Sequence, residues 1–213
     1  MTKTIDESRA VDVVYMDFSK AFDKVPHGRL VQKVKCHGIK CELARWVENW
    51  LGHRRQRVAV EGSFSDWRSV TSSVPQGSVL GPLLFVIYIN DLEENVAGLI
   101  SKFADDTKIA GVVVSDEHCQ RIQQDIDRLE NWVEKWQMEF NPDKCEVMHF
   151  GRSNAEGSHT INGRTIRSID TQRDLGVLVH RSLQVAAQME KVVKKAYGML
   201  AFIGRGIEYK IGI

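Results

Sequence analysis

Three acidic residues have the type and setting to do chemistry. Asp17 lies at the end of the run "VDVVYMDF", and Asp105-Asp106 interrupt the apolar stretch "LISKFADDTKIAGVVV". β-Branched and aromatic residues mark 11–18 as a strand, and the second stretch reads as two short strands with the aspartates between them. If these strands are neighbours in one sheet, three carboxylates from distant positions converge at its edge. Carboxylates that close repel one another and need protons or cations between them. Mg²⁺ takes hard oxygen ligands and keeps room for substrate phosphates. A pair of such ions can activate an attacking hydroxyl and stabilise the leaving oxygen of a phosphoryl transfer. On its own, an Asp-Asp pair in a turn is weak evidence, better explained by the backbone hydrogen bonds that turns favour.

The elements around these residues follow from periodicity. Short helices are expected over Arg29–Val34 and Glu42–Leu51, stopped by Gly38 and Gly52. "RQRVAVEG" and "WRSVTSSV" alternate apolar and polar residues, which predicts two strands around a turn near Gly62-Ser63. "PQGSVLGP" reads as a loop, with Pro82 in the first turn of a helix running to about Asn95. Ile122, Ile126, Leu129, Val133 and Trp136 recur at three- and four-residue steps, one face of a long helix within 116–140. "CEVMHF" predicts a strand, "TINGRTI" a hairpin turning at Asn-Gly, and "DLGVLVH" another strand. Ser182 is the expected cap of a last helix through Ile203. The result is a mixed chain with several antiparallel strands, without internal repeats or low-complexity linkers.

Composition narrows the function classes. At 213 residues, 43% hydrophobic and 27% charged, the chain can bury a sizeable core and is not disordered. Its net charge of +1 conceals segregation. Residues 20–57 carry ten Lys/Arg against three Asp/Glu, while 91–146 carry fourteen Asp/Glu against six Lys/Arg. From Arg181 onward six basic residues face two acidic ones. Basic segments can follow a phosphate backbone and clustered carboxylates can hold divalent cations, although solvated helix faces explain charge runs too. Cys36, Cys41, Cys119 and Cys145 form no CxxC pair, so free thiols in a reducing compartment are expected rather than a zinc site. No signal peptide opens the chain, and the apolar run Leu83–Ile89 is too short to span a bilayer. The expected location is intracellular, nuclear or cytoplasmic, with no membrane partner.

Three segments, "YMDFSKAFDKVPHGRL", "SVPQGSVLGPLLFVIYINDL" and "SKFADDTKI", carry a resemblance. In this order and spacing the chain is similar to reverse transcriptases of non-LTR (LINE-type) retrotransposons, jockey-like elements especially, from about Val11 to beyond Ala201. The resemblance implies an α+β fold: a polymerase palm over 1–180, its antiparallel sheet packed on helices, and the start of a thumb over 181–213. It implies two Mg²⁺ ions, with Mn²⁺ as a substitute, an RNA template, a DNA primer and deoxynucleoside triphosphates.

Residue by residue, it casts Asp17 as the first metal-binding aspartate, the Phe18 carbonyl as a further metal ligand, and Asp105 and Asp106 as the second catalytic motif. Of these two, Asp105 is the expected direct ligand to both ions. Phe103 stands where many relatives carry tyrosine. Phe22 takes the place of a bulky ring beneath the incoming sugar, where a 2′-hydroxyl would clash; core packing is the competing reading. Pro75, Gln76 and Gly77 resemble the loop against the template and the nascent base pair. Lys144 falls in "FNPDKCEVMHFG", where it could protonate the departing pyrophosphate, or be a surface lysine. Leu175 and Gly176, in "RDLGVLV", resemble the hairpin that packs on the primer end, and Lys191, Lys194 and Lys195 would meet the duplex backbone or equally form a solvated stripe.

The same resemblance leaves the fingers region largely missing upstream and the thumb cut short. Fingers and endonuclease regions are therefore expected in a longer protein. Two rivals remain: an inactive remnant that at most binds nucleic acid, and a different two-metal palm enzyme such as a nucleotidyl cyclase. The "PQG" and "AFD" segments speak against the second rival, and the intact aspartates against long decay.

Overall fold

Valines at 11, 13 and 14 keep the chain extended up to Asp17, and this strand becomes the centre of the molecule. The computed structural model describes residues 9–151 and 153–211, the stretch after Arg205 as backbone alone. The tips of the two expected units, 1–8 and 212–213, lie outside the described residues.

The first strand is β1 (Val11–Asp17), followed by four short ones: β2 (Arg55–Gln56), β3 (Ala59–Val60), β4 (Ser63–Phe64) and β5 (Arg68–Ser69). Then come β6 (Leu99–Phe103), β7 (Asp106–Val112), β8 (Glu146–Phe150), β9 (Thr160–Ile161) and β10 (Arg164–Thr165). β11 (Arg167–Ser168), β12 (Thr171–Asp174) and β13 (Val177–His180) close the series. The helices are α1 (Ala21–Lys24), α2 (His27–Cys36), α3 (Cys41–Leu51), α4 (Leu80–Tyr88), α5 (Asp116–Trp136) and α6 (Ala186–Ile211).

The main sheet runs β11-β8-β1-β7-β6, antiparallel except where β11 lies parallel to β8. This is the α+β palm arrangement expected from the sequence. β1 alternates strictly. Val14 and Met16 enter the large core with Ile109, Val147 and the helices, while Val11 and Val13 pack with Met148 and Phe150 on the opposite face. α5 buries Ile122, Ile126, Leu129 and Val133. It comes so close to β7 that a Cβ on Gly111 would stand 2.8 Å from Ile122. Asp125, on the same helix, accepts the backbone N–H groups of Ala97 and Gly98 and so fixes the loop that enters β6.

A buried lysine ties α2 to α5. Lys33 pairs with Asp91 and lies 3.7 Å from the ring centre of Trp136 and 4.7 Å from that of Trp132. Asp91 also accepts the Trp132 indole N–H at 2.9 Å. These bonds account for one departure from the sequence reading: α4 ends at Tyr88 and a 3₁₀ turn over Asn90–Glu93 replaces its expected last turns. The turn is what points Asp91 at Lys33 and Trp132. The last helix also differs. Ser182 does not cap it; its hydroxyl bonds His180 at 2.7 Å, and α6 begins at Ala186. No described helix is long and apolar enough to cross a membrane.

Candidate active site

Pairing of β1 with β7 sets Asp17, the last residue of one strand, directly opposite Asp106, the first of the other. Directly opposed residues in an antiparallel pair share a face, with Cβ atoms roughly 5 Å apart. Phe103 pairs with Asp106 to close the β6–β7 hairpin, which leaves Ala104-Asp105 as a two-residue turn. Ala104 adopts φ 51°, a left-handed conformation that disfavours a side chain. That local cost presents Asp105 at the tip, beside the Asp17–Asp106 pair.

The end of β1 is locked from the other side. Asn141 donates its N–H to the Asp17 carbonyl at 2.8 Å, and Ser19 donates to the Glu139 carbonyl at 2.8 Å. These bonds bracket a Phe18–Phe140 bridge, and in such a pair the bridging residue turns its own carbonyl away from the partner strand. The Phe18 ring is buried, stacked on Phe140 at 4.7 Å. Lys144, held by its N–H to the Asn141 carbonyl, brings Nζ to 3.2 Å from Asp17 Oδ2.

Negative charge is under-compensated here. The Asp106 carboxyl is pushed up, first by desolvation and then by the charges of Asp105, Asp17 and Asp174, against the pull of Lys108. Lys108 is itself ion-paired with Asp174. That pair fastens β7 to the β12–β13 hairpin, whose turn is Leu175-Gly176 with φ of 47° and 88°. Tyr15, two residues before Asp17, is pushed up to about 12 by burial and by Asp174. A cavity of about 100 Å³ results, lined by Tyr15, Asp17, Phe103, Asp106, Lys144 and Leu175 among others.

A second cluster couples the "AFD" and "PQG" segments. The Phe22 ring stacks on Phe85 at 4.6 Å, and its carbonyl accepts the Val74 N–H at 2.8 Å, one residue before Pro75. Gln76 and Gly77 are exposed, and Gly77 has φ 79°. Pro75 accepts the Ser78 hydroxyl at 2.7 Å, and a Cβ on Gly81 would stand 2.5 Å from the Pro75 carbonyl oxygen. Lys191, Lys194 and Lys195 are exposed on α6 and do not line the cavity; Lys194 pairs with Glu190.

The structure thus gathers Asp17, Asp106, Lys144 and Leu175 around one cavity and keeps Phe22 and Pro75 in a neighbouring packed unit. Sequence reading passed over Tyr15, Lys108 and Asp174. Strand alternation from Asp17 and Asp106 pointed to the first two; the third is revealed only by long-range packing. Among the described residues, no group of three or more His, Cys, Asp or Glu is placed to hold a metal ion by itself. The donors fit Mg²⁺ all the same: facing carboxylates are hard ligands with unbalanced charge, and Mg²⁺ usually takes one or two carboxylates, completing its shell with water and phosphate.

A family model described as "Reverse transcriptase (RNA-dependent DNA polymerase)" matches residues 3–192. The chain belongs to the reverse transcriptase family. Among curated relatives, the RNA-directed DNA polymerase from mobile element jockey of Drosophila melanogaster is 30% identical over 84% of this chain and 20% of that protein. The jockey enzyme of Drosophila funebris is 31% identical over 79% of the chain and 19% of its own length. The jockey-like resemblance read from the sequence is confirmed. This reverse transcriptase chain spans about a fifth of the length of those relatives. Among solved structures, apo telomerase from Candida tropicalis superposes with a TM-score of 0.58 at 12% identity, covering 86% of this chain and 34% of the other. The same telomerase with a fragment of telomeric RNA gives 0.55 at 12% identity, covering 83% and 29%. These likenesses establish the shared fold.

Proposed function

We propose that the chain is the catalytic palm of a non-LTR retrotransposon reverse transcriptase, transferring deoxynucleotides to a DNA primer on an RNA template. The observation that carries this reading is the register of β1 and β7, which opposes Asp17 to Asp106 with Asp105 at the adjoining tip. In this reading Asp17, Asp105 and Asp106 hold two Mg²⁺ ions (Mn²⁺ substituting), with the outward-turned Phe18 carbonyl as a further ligand. The ions would supply activation of the primer hydroxyl and neutralisation of charge on the phosphates.

The chain's own residues supply position. Lys144, exposed on one side and bound to Asp17 on the other, can swing to an anionic leaving group and give it a proton. Phe22, fixed by Phe85 and by the Val74 bond, would bear on the sugar, selecting deoxynucleotides. Pro75, Gln76 and Gly77 would contact template and nascent pair, and the Leu175-Gly176 turn the primer end. Lys191, Lys194 and Lys195 would meet the duplex as the start of a thumb at 181–213, after a palm over 1–180. Template, primer, nucleotides and the regions that complete the longer protein are the partners of this proposal, in nucleus or cytoplasm.

Lys144 also supports a second reading. By neutralising Asp17 it favours a non-catalytic module that only binds nucleic acid. Primer extension on an RNA template with Mg²⁺ separates the two, run with the chain alone and with a fingers region joined upstream. Catalysis predicts extension that Asp105→Ala abolishes. Absence of extension from both forms, or indifference to Asp105→Ala, rejects it.

A further inference from the structure

We propose that the β2–β5 ribbon is a separate binding surface for single-stranded nucleic acid, built on Arg55, Arg57, Phe64 and Trp67. β2 pairs with β5 as Arg55↔Ser69 and Gln56↔Arg68, whereas β3 pairs with β4 as Ala59↔Phe64 and Val60↔Ser63. The paired numbers sum to 124 at the base and 123 at the tip, so the returning strand carries one extra residue. Asp66 and Trp67 together oppose Arg57. This is a β-bulge. Ser65 holds it, accepting the Val58 N–H at 2.9 Å and donating to the Asp66 carbonyl at 3.2 Å.

The bulge decides which side chains meet. Phe64 and Trp67 are three apart, an odd spacing that sends side chains to opposite faces of a regular strand. The extra residue turns Trp67 onto the face of Phe64. The Arg57 guanidinium carbon consequently lies 3.9 Å from the Phe64 ring centre and 4.7 Å from that of Trp67. Arg55, two residues earlier on the same face, reaches Trp67 at 5.7 Å.

Four features point to a nucleic-acid strand. Phe64 and Trp67 remain 59% and 49% exposed, so each ring has surface free to stack on a base. Among the described residues, Arg55, Arg57 and Arg68 make no ion pair with a carboxylate. Arginines outnumber acids by four to two between Arg54 and Arg68, and phosphate complements that excess. Finally, the ribbon has a firm base. Arg54 donates to the carbonyls of Leu51 and Ser73 at 3.1 and 2.8 Å, and the strand leaving β5 runs directly to Pro75. Successive aromatic faces with guanidinium groups are the usual platform for unpaired bases, whereas a duplex hides its base faces and an acidic peptide has none.

The assignment does not depend on turnover. Fluorescence anisotropy with labelled oligouridylate RNA tests it on the full chain across a salt series. Trp67→Ala should weaken binding about tenfold with its salt slope unchanged. Arg57→Ala should weaken it similarly and lower the slope by about 0.7. Arg57→Lys, which keeps the charge and the exposed position, should retain the slope and still bind more weakly than wild type. A blunt-ended RNA–DNA duplex should be indifferent to Trp67→Ala. Equal oligouridylate binding by wild type and an Arg57→Ala/Trp67→Ala double variant of unchanged urea midpoint would overturn the proposal. So would displacement of the RNA by polyglutamate at equal charge concentration.

Discussion

Asp12 and Asp17 are five residues apart on β1, an odd spacing that turns them to opposite faces of the sheet, about 17 Å from each other along the strand. Asp12 is wholly buried and accepts three donors: His149 Nδ1 at 2.8 Å, His159 Nε2 at 3.1 Å and Asn154 Nδ2 at 2.8 Å. Burial alone would raise its pKa; the bonds from His149, His159 and Asn154 prevail and hold it at about 2. Asp17 keeps a third of its side chain exposed and lies opposite Asp106, with the Lys144 ammonium beside it. The same residue type on one strand therefore does two jobs. Surrounded by donors, a carboxylate joins strands. Beside other carboxylates, in the proposed site, it would be the one to bind a cation.

The largest expected effect breaks the proposed catalytic end. Asp17→Asn should lower primer extension by about 10²–10³-fold, as removal of a group that stabilises transition-state charge does. The urea midpoint should stay level or rise, because a like charge leaves the cluster. A variant that unfolds instead would show that Asp17 is structural.

The second prediction breaks the other end. Asp12→Ala leaves His149 and His159 buried without their acceptor, which should cost about 3 kcal/mol in a urea titration. Extension per folded molecule should be unaltered. If Asp12→Ala leaves stability intact, the contrast between the two aspartates is wrong.

A pH series sharpens the contrast. The Asp12 carboxyl is depressed from 3.8 to about 2, so its contribution is complete above the unfolded value and disappears as pH falls through the folded one. About 2 kcal/mol should be lost between roughly pH 5 and pH 2. Asp12→Asn should flatten that part of the curve, seen in urea midpoints across the range.

The smallest effect concerns Lys108, the cation paired with Asp174 beside the acidic end. Lys108→Ala removes the partner of Asp174 and should cost about 1 kcal/mol, since the pair is only partly exposed. Hydrogen exchange should quicken in β12 and β13 and not in β8. Uniform change across the sheet would count against a local tie.

Much of this was legible in the sequence, and the reasons are local. β-Branched and aromatic residues exposed β1, three- and four-residue steps exposed α5, and Asn-Gly marked the turn between β9 and β10. The Asp12 network was not legible, because it joins residues 137 and 147 positions apart and no periodicity encodes such pairs. The bulge at Asp66-Trp67 was hidden for another reason: "RQRVAVEG" and "WRSVTSSV" each alternate well, and only their mutual register reveals the extra residue. The shortening of α4 followed from Asp91 being drawn to Lys33 and Trp132, partners on two other helices.

Mn²⁺ binding, followed by loss of the free-ion paramagnetic resonance signal with primer, RNA template and a deoxynucleotide present, tests the central claim most directly. Saturable binding that disappears in Asp17→Asn and Asp105→Asn but persists in a folded Asp12→Asn is the predicted result. Uptake of Mn²⁺ that is indifferent to Asp17 and Asp105 would contradict it.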